Sequence, residues 1–280
     1  MALSFCSFSS GSSGNCYLIK SETTALLVDA GISLKRIREG LSMTETNEEQ
    51  VQAVLITHEH ADHIKSLGAL CGSRGLARSG EPLAMYATYG TWAAMEQQPV
   101  SAAFQLSDKR IVRRGETFFV GDIQVRSFSL SHDAAEAVGY AFVQRGHGEQ
   151  NQLAIVTDTG IVTTEILEQI RNVQMLVLEA NHDVNMLKIG RYPWFLKQRI
   201  LSDVGHLSND AAADVAVQLL SEGTAPRQIA LAHLSAENNF PEMAWQTMKN
   251  ALEEADYVFG KDLNVCTLIR DTISQIFILE

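Results

Sequence analysis

The amino-acid sequence predicts an α/β fold in a single domain over residues 1–280, and three observations carry that expectation. Short β-rich apolar runs alternate with stretches of helical periodicity along the chain. No Pro-, Ser- or charge-rich linker interrupts the 280 residues, 46% of them hydrophobic, and that length buries one substantial core. Two pairs of segments also echo each other. ALLVDAG at 25–31 lies on AIVTDTG at 154–160, and VQAVLITHEH at 51–60 on VQMLVLEANHD at 173–183, which describes two related halves.

The elements follow in order. Residues 3–8, 16–20 and 25–29 read as strands because each is a short apolar run closed by Gly, Ser or Asp; 51–57 is a longer run ending in polar residues. Apolar residues three apart, Ile64, Leu67 and Leu70, predict a helix over 64–70. After a strand at 83–87, Trp92 and Met95 predict another over 89–97. Strands follow at 123–130, 138–144, 153–157 and 175–179, with a helix at 164–171 between the last two. The chain then turns helical at 193–201, 209–220 and 241–255, with Ser208 and Asn239 as caps near the last two, and returns to strand at 264–269 and 274–279.

Composition narrows the function. The 22 Lys and Arg against 33 Asp and Glu leave a net charge of −11, which excludes coating nucleic acid by bulk charge but allows a local basic groove. Cys6, Cys16, Cys71 and Cys266 form no CxxC pair, and MALSFCSFSS has neither the basic region nor the sustained apolar run of a secretory signal. Buried thiols in a reducing cytoplasm are the expectation. No apolar run approaches the roughly 20 residues of a membrane helix, so no membrane partner is expected.

The sharpest motif is Thr57-His58-Glu59-His60-Ala61-Asp62-His63, directly after an apolar strand. Side chains alternate along an extended backbone, so His58 and His60 project to one side and can hold one metal. The turn into the helix near Ile64 redirects Asp62 and His63 towards a second. Further ligands follow other apolar runs: His132 after 123–130, Asp158 after 153–156, and His233 after 229–231. Together they make a set of about seven, enough for two divalent ions with room for a water between them. Histidine and carboxylate suit zinc, manganese or iron.

HEHADH, with LLVDAG before it and LSHD, VTDTG and LAHLS after it, resembles the metallo-β-lactamase-fold hydrolase superfamily across essentially the whole chain. The resemblance implies a four-layer αββα sandwich of two pseudo-related halves. It further implies His58, His60 and His132 on one metal, Asp62, His63 and His233 on the other, Asp158 bridging, and Asp29 beneath the site. Oxygen-reducing di-iron members place Glu where this chain has His60, and Cys-bearing lactamases have a Cys that is lacking near Asp158 and His233. No large insertion of the β-CASP nuclease kind lies between those two residues.

LEANHD at 178–183 and GHLSN at 205–209 look like the Glu and His relay elements of tRNase Z and related phosphodiesterases. FSSGSSGNCY at 8–17, NHD at 181–183 followed by MLKIGRYP, and HLSAENN at 233–239 are similar to the YycJ-like (WalJ-like) branch, for which a 5′ to 3′ DNA exonuclease activity is implied.

On this reading Asp62 orients the attacking water, and His206 backed by Glu179 protonates the leaving oxygen. Ser10, Ser12, Ser13 and Asn15 in the Ser/Gly loop, with His182, Lys188 and Arg191, are the candidate substrate contacts. The stretch from His182 to Arg199 interleaves Lys188, Arg191, Lys197 and Arg199 with Tyr192, Trp194 and Phe195 against one acid, Asp183, a pattern that suits a nucleic-acid strand. A small-molecule hydrolase of cyclic phosphodiesters, thioesters or lactones, a tRNase Z-like RNA-processing enzyme, and a non-catalytic metal-binding module are the alternatives.

Overall fold

Most strands are apolar at consecutive positions, which a sheet accommodates only when both faces are covered. The computed structural model, which describes residues 2–72, 75–76, 82–98, 107–146, 150 and 152–279, shows that arrangement. One sheet runs in the order β14 (Phe277–Leu279), β1 (Leu3–Ser9), β2 (Cys16–Lys20), β3 (Ala25–Val28), β4 (Val51–Leu55), β5 (Ala84–Thr88) and β6 (Asp108–Val112). The other runs β13 (Asn264–Thr267), β12 (Gln228–Ala232), β11 (Met175–Glu179), β10 (Leu153–Val156), β9 (Val138–Gln144), β8 (Ile123–Ser129) and β7 (Thr117–Val120).

The two sheets are related in design. In the first, the pairs from β3 to β6 are parallel and those from β14 to β3 antiparallel. In the second, the pairs from β13 to β10 are parallel and the remainder antiparallel. The echoed segments are the parallel pairs β3–β4 and β10–β11, equivalent positions in the two halves.

Alternation along each strand divides the core into three layers. Leu26 and Val28 of β3 face the space between the sheets together with Met175 and Val177 of β11. Leu27 packs outward with Ile37 and Leu41 of α1 (Leu34–Met43), Leu67 of α3 (Leu67–Cys71) and Trp92 of α4 (Tyr89–Glu96). Leu176 and Leu178 pack outward with α5 (Thr164–Ile170), α8 (Asn209–Ser221) and α9 (Pro241–Glu254) through Ile166, Ala216 and Met248. The result is the αββα sandwich. Each large side chain taken wholly from water, such as Phe5 or Phe142 between the sheets, contributes roughly 1.5–3 kcal/mol.

Several elements differ from the sequence expectation for physical reasons. Helix α1 carries few apolar residues, yet its N-cap Ser33 accepts from the Arg36 amide at 3.4 Å and its buried Ile37 and Leu41 suffice to seat it. Strands β6 and β7 are sheet edges among the described residues, with a neighbouring strand on one flank alone, where exposed charge is tolerated, so alternation is blurred in DKRIV and TFFV. The helix expected over 64–70 begins earlier and divides into α2 (Ala61–Ile64) and α3, with His60 extended at the N-cap. Ser208 caps α8 by accepting from the Ala211 amide at 3.1 Å. Asn239 is not a cap: its Nδ2 donates to Ala180 O and Asn209 Oδ1, both at 2.8 Å, and pins the loop after β12.

Candidate metal centre

The polar groups gather at one edge because they follow the carboxyl ends of strands in both sheets. Asp29 follows β3, His58 follows β4, His132 follows β8, Asp158 follows β10, Glu179 ends β11 and His233 follows β12. Three of these positions adopt left-handed backbone, with φ of 60° at Asp29, 64° at Asp158 and 54° at His233, a conformation that costs a non-glycine residue of order 1 kcal/mol or more. Tyr140 Oη donates to Ile56 O at 2.9 Å and the Val138 amide to Thr57 O at 3.1 Å, locking the two sheets together beside the motif.

Two triads of donors result. The ligand atoms of His58, His60 and His132 lie within 4.8 Å of one another, as do those of Asp62, His63 and His233. Asp158 stands between them, with Oδ2 3.3 Å from His63 Nε2 and Oδ1 4.0 Å from His132 Nε2. His58 Nε2, Asp158 Oδ2 and His233 Nε2 are buried without a hydrogen-bond partner. Such orphaned atoms are costly unless a ligand satisfies them, so the site's donors fit a pair of divalent cations.

Each inward nitrogen is set by what holds the other side of its ring. His63 Nδ1 donates to Asp29 Oδ2 at 2.8 Å, and Thr57 binds both oxygens of that carboxylate through its amide and hydroxyl, each at 2.9 Å. His58 Nδ1 meets Thr57 Oγ1 at 3.0 Å, and His132 Nδ1 donates to Gly205 O at 3.1 Å. His60 presents Nδ1 instead, 3.3 Å from His132 Nε2.

Glu179 is wholly buried and serves two histidines, its Oε1 accepting from Nδ1 of His206 and of His233, each at 2.8 Å. Its Oε2 accepts from the Thr159 and Leu207 amides at 2.9 and 3.3 Å. Asp158, Glu179, His206 and His233 also lie close enough to hold an ion, but the Glu179 oxygens are already engaged, so the two triads are the better donor sets.

The electrostatics follow from this crowding. Burial opposes the charged form of His233, but Asp158, Asp62 and Glu179 outweigh it and raise the imidazole to about 10. His63 is likewise held well above the usual range against its burial, chiefly by Asp158, Asp62 and Asp29. In His206 the Glu179 carboxylate again overcomes burial, and Glu179 itself is lowered by the two imidazoles although burial alone would raise it. His58 goes the other way: burial and then its histidine neighbours push it well down. Cations and protons compete for the raised imidazoles.

A cleft of about 350 Å³ opens over the triads, lined by Asp62, Asp158 and His206 from the centre and by Ser12, Tyr192 and Arg199 among others. Of the loop residues expected to touch substrate, Ser12 lines this cleft and Ser13 is exposed. Ser10 and Asn15 are buried and directed into the protein. Ser10 Oγ accepts from the His233 amide and shares a bond with Tyr17 Oη, both at 2.8 Å; Asn15 Nδ2 donates to Asp62 Oδ2 at 3.4 Å. These two brace ligand-bearing segments.

His182 is buried, with both ring nitrogens unpartnered, and burial lowers it to about 4. Lys188 and Arg191 are exposed on the approach from α6 (Val184–Ile189) to α7 (Trp194–Ile200) and are not among the cleft-lining residues. Lys197 belongs to the scaffold, donating to Lys188 O and Gly190 O, each at 2.7 Å. Arg199 and Tyr192 lie at the cleft, with Arg199 paired to Asp133 next to His132. The helical register of α7, which brings residues 196, 199 and 200 round together, is the signal that singles out Arg199.

Gly31 shows how closely the loop is fitted: a Cβ there would sit 1.6 Å from the Asp62 carbonyl oxygen and 2.8 Å from the Asn15 amide nitrogen. Gly31→Ala must therefore displace either the α2 turn or the Ser/Gly loop. A stability loss of about 2–3 kcal/mol is expected in urea unfolding, together with weaker metal retention. An unchanged midpoint and full metal content would show that the loop has more room than this geometry allows.

Residues 24–233 match the family described as the beta-lactamase superfamily domain. The chain is 40% identical to the exodeoxyribonuclease WalJ of Streptococcus pneumoniae over 267 residues, 95% of this chain and 94% of that protein. The chain belongs to the metallo-β-lactamase-fold superfamily, in its YycJ-like (WalJ-like) branch. The exodeoxyribonuclease YycJ of Bacillus anthracis is 41% identical over 265 residues, 95% of each chain. Among solved structures, the metallo-β-lactamase fold protein YhfI from Bacillus subtilis superposes with a TM-score of 0.70 at 16% identity, covering 98% of this chain and 99% of its own, which shows the shared sandwich. Metallo-β-lactamase-fold hydrolases use divalent cations, and the paired triads are groups of described residues with the donors and spacing to hold them.

Proposed function

We propose that this metallo-β-lactamase-fold chain is a metal-dependent phosphodiesterase that degrades DNA from its 5′ end. The observation that carries the reading is His206: its Nδ1 is held by the buried Glu179, while the side chain, 20% exposed, lines the cleft beside both triads. That is the position for a group that gives a proton to a departing oxygen. The relatives named exodeoxyribonucleases, matched over 94–95% of their length, supply the DNA assignment.

His58, His60 and His132 would hold one cation, Asp62, His63 and His233 the other, with Asp158 shared; zinc and manganese suit this donor set. Two bound dications lower the pKa of water towards neutrality and offset charge on phosphoryl oxygens. The residues do the rest. Asp62 accepts a hydrogen bond from the attacking water and aligns it. Glu179 fixes the His206 ring and favours its protonated form, so that Nε2 donates to the leaving 3′ oxygen. Arg199 at the rim offers a cation to a neighbouring phosphate. The four free cysteines suit action in a reducing cytoplasm, and among the described residues no helix is long and apolar enough to cross a membrane.

The test is digestion of 5′- and 3′-labelled DNA and RNA with manganese or zinc added separately. Mononucleotides released from the labelled 5′ end of DNA, with slower attack on RNA, are expected. Turnover of thioesters or of bis(4-nitrophenyl) phosphate with intact DNA would overturn the nuclease reading in favour of a small-molecule hydrolase.

A further inference from the structure

The end of α6 and the start of α7 leave unusually large apolar side chains in water. Ile189, Phe195 and Trp194 are 86%, 72% and 66% exposed, and they lie within seven residues of one another. The other two tryptophans are packed: Trp92 is 4% exposed, and Trp245 meets the Phe259 ring edge-on at 4.8 Å. Exposed apolar surface of this kind marks a binding face.

Its location and charge identify the occupant. Helix α7 lines the metal cleft through Leu196, Arg199 and Ile200. Phe195 lies one turn before Arg199 on the same helix, so it flanks the cleft, and Trp194 precedes it as the first residue of that helix. From residue 184 to residue 202 the chain has no Asp or Glu, in a protein of net charge −11. Lys188 and Arg191 are exposed on this segment and neither has an acidic partner among the described residues.

An acid-free strip with two free cations and two open rings, leading into a cleft, is complementary to a strand that alternates phosphates with flat bases. A second copy of this acidic chain lacks that alternation. A duplex keeps its base faces stacked internally and presents only its terminal pair.

We infer that Trp194 and Phe195 form a stacking surface for unpaired nucleobases, over which a single strand crosses the rim of the metal cleft with its phosphates on Lys188 and Arg191. The inference rests on the nuclease reading and adds a strand preference to it. The chain engages a single-stranded end ahead of a blunt duplex.

The metal-loaded chain is titrated with a cleavage-resistant phosphorothioate oligothymidylate, single-stranded or annealed as a blunt duplex, while tryptophan fluorescence and anisotropy are followed. Binding of the single strand should quench the exposed Trp194. The double variant Trp194→Ala/Phe195→Ala should bind that strand roughly 5- to 100-fold more weakly, the effect of losing base–aromatic stacking. Its KM for DNA should rise while kcat at saturation and the melting temperature are retained. Lys188→Ala and Arg191→Ala should each flatten the salt dependence by up to about one unit of slope.

A double variant that binds and digests single-stranded DNA like the parent overturns the stacking surface and leaves the nuclease reading standing. A parent that neither binds nor digests DNA overturns both. A parent dimer, seen by sedimentation without DNA, that the double variant dissociates would reassign the patch to a subunit contact.

Discussion

His58→Ala, Asp158→Ala and His233→Ala are each expected to lose metal and at least about 10³-fold of phosphodiester hydrolysis. The cations are asked to supply several kcal/mol of charge stabilisation, and each 1.4 kcal/mol or so is a tenfold change in rate. Asp158 should be the most damaging position. Its carboxylate lies between the two triads, 3.3 Å from His63 Nε2 and 3.3 Å from His233 Nδ1, so its loss removes a ligand from both ions and an anion that balances buried imidazoles. His58→Ala removes a donor whose Nε2 has no other partner and should empty chiefly the site it shares with His60 and His132. Metal analysis by mass spectrometry beside a rate measurement separates these cases. Two ions per chain and parental turnover in Asp158→Ala would defeat the paired-ion reading, as would full activity after chelation.

What could be read from the sequence, and what could not, follows from how far each feature depends on long-range geometry. The HEHADH run was legible as a cluster because alternation and the following turn are local rules: the helix starts at Ala61, His58 and His60 group with His132, and Asp62 and His63 with His233, although His58 and His63 also lie together beside Asp158. The two-halved design was legible as an echo because buried strands followed by polar turns repeat in the parallel pairs β3–β4 and β10–β11. Direction within loops was not legible. Ser10 and Asn15 belong to a small, polar loop that reads as open to ligand, but the edges of both sheets converge on it and turn those side chains inward onto His233 and Asp62. Lys197 stands among cations on one strip of sequence, yet carbonyls at the end of α6 draw it into the protein, while Arg199 two residues later reaches the cleft. Edge strands β6 and β7 escaped for lack of a second covered flank, not for lack of apolar residues.

The second large effect is expected at His206, where His206→Ala should keep both ions and the fold but lose roughly 10²- to 10⁴-fold in turnover on DNA, the range for a proton-transfer group. Separability is favoured at this residue because its ring lies at the cleft wall and belongs to neither triad. Glu179→Gln is a different experiment. Its Oε1 holds His233 as well as His206, and an amide at that position cannot accept from both with the strength of a carboxylate, so metal affinity should fall along with rate. The discriminating measurement compares DNA with a diester whose leaving group is 4-nitrophenolate. A leaving group that needs no proton makes the donor dispensable, so the His206→Ala deficit should shrink to within about tenfold on that substrate. An equal loss on both substrates, with metal content unchanged, would mean that His206 binds or positions the phosphate instead and that the leaving oxygen takes its proton from elsewhere.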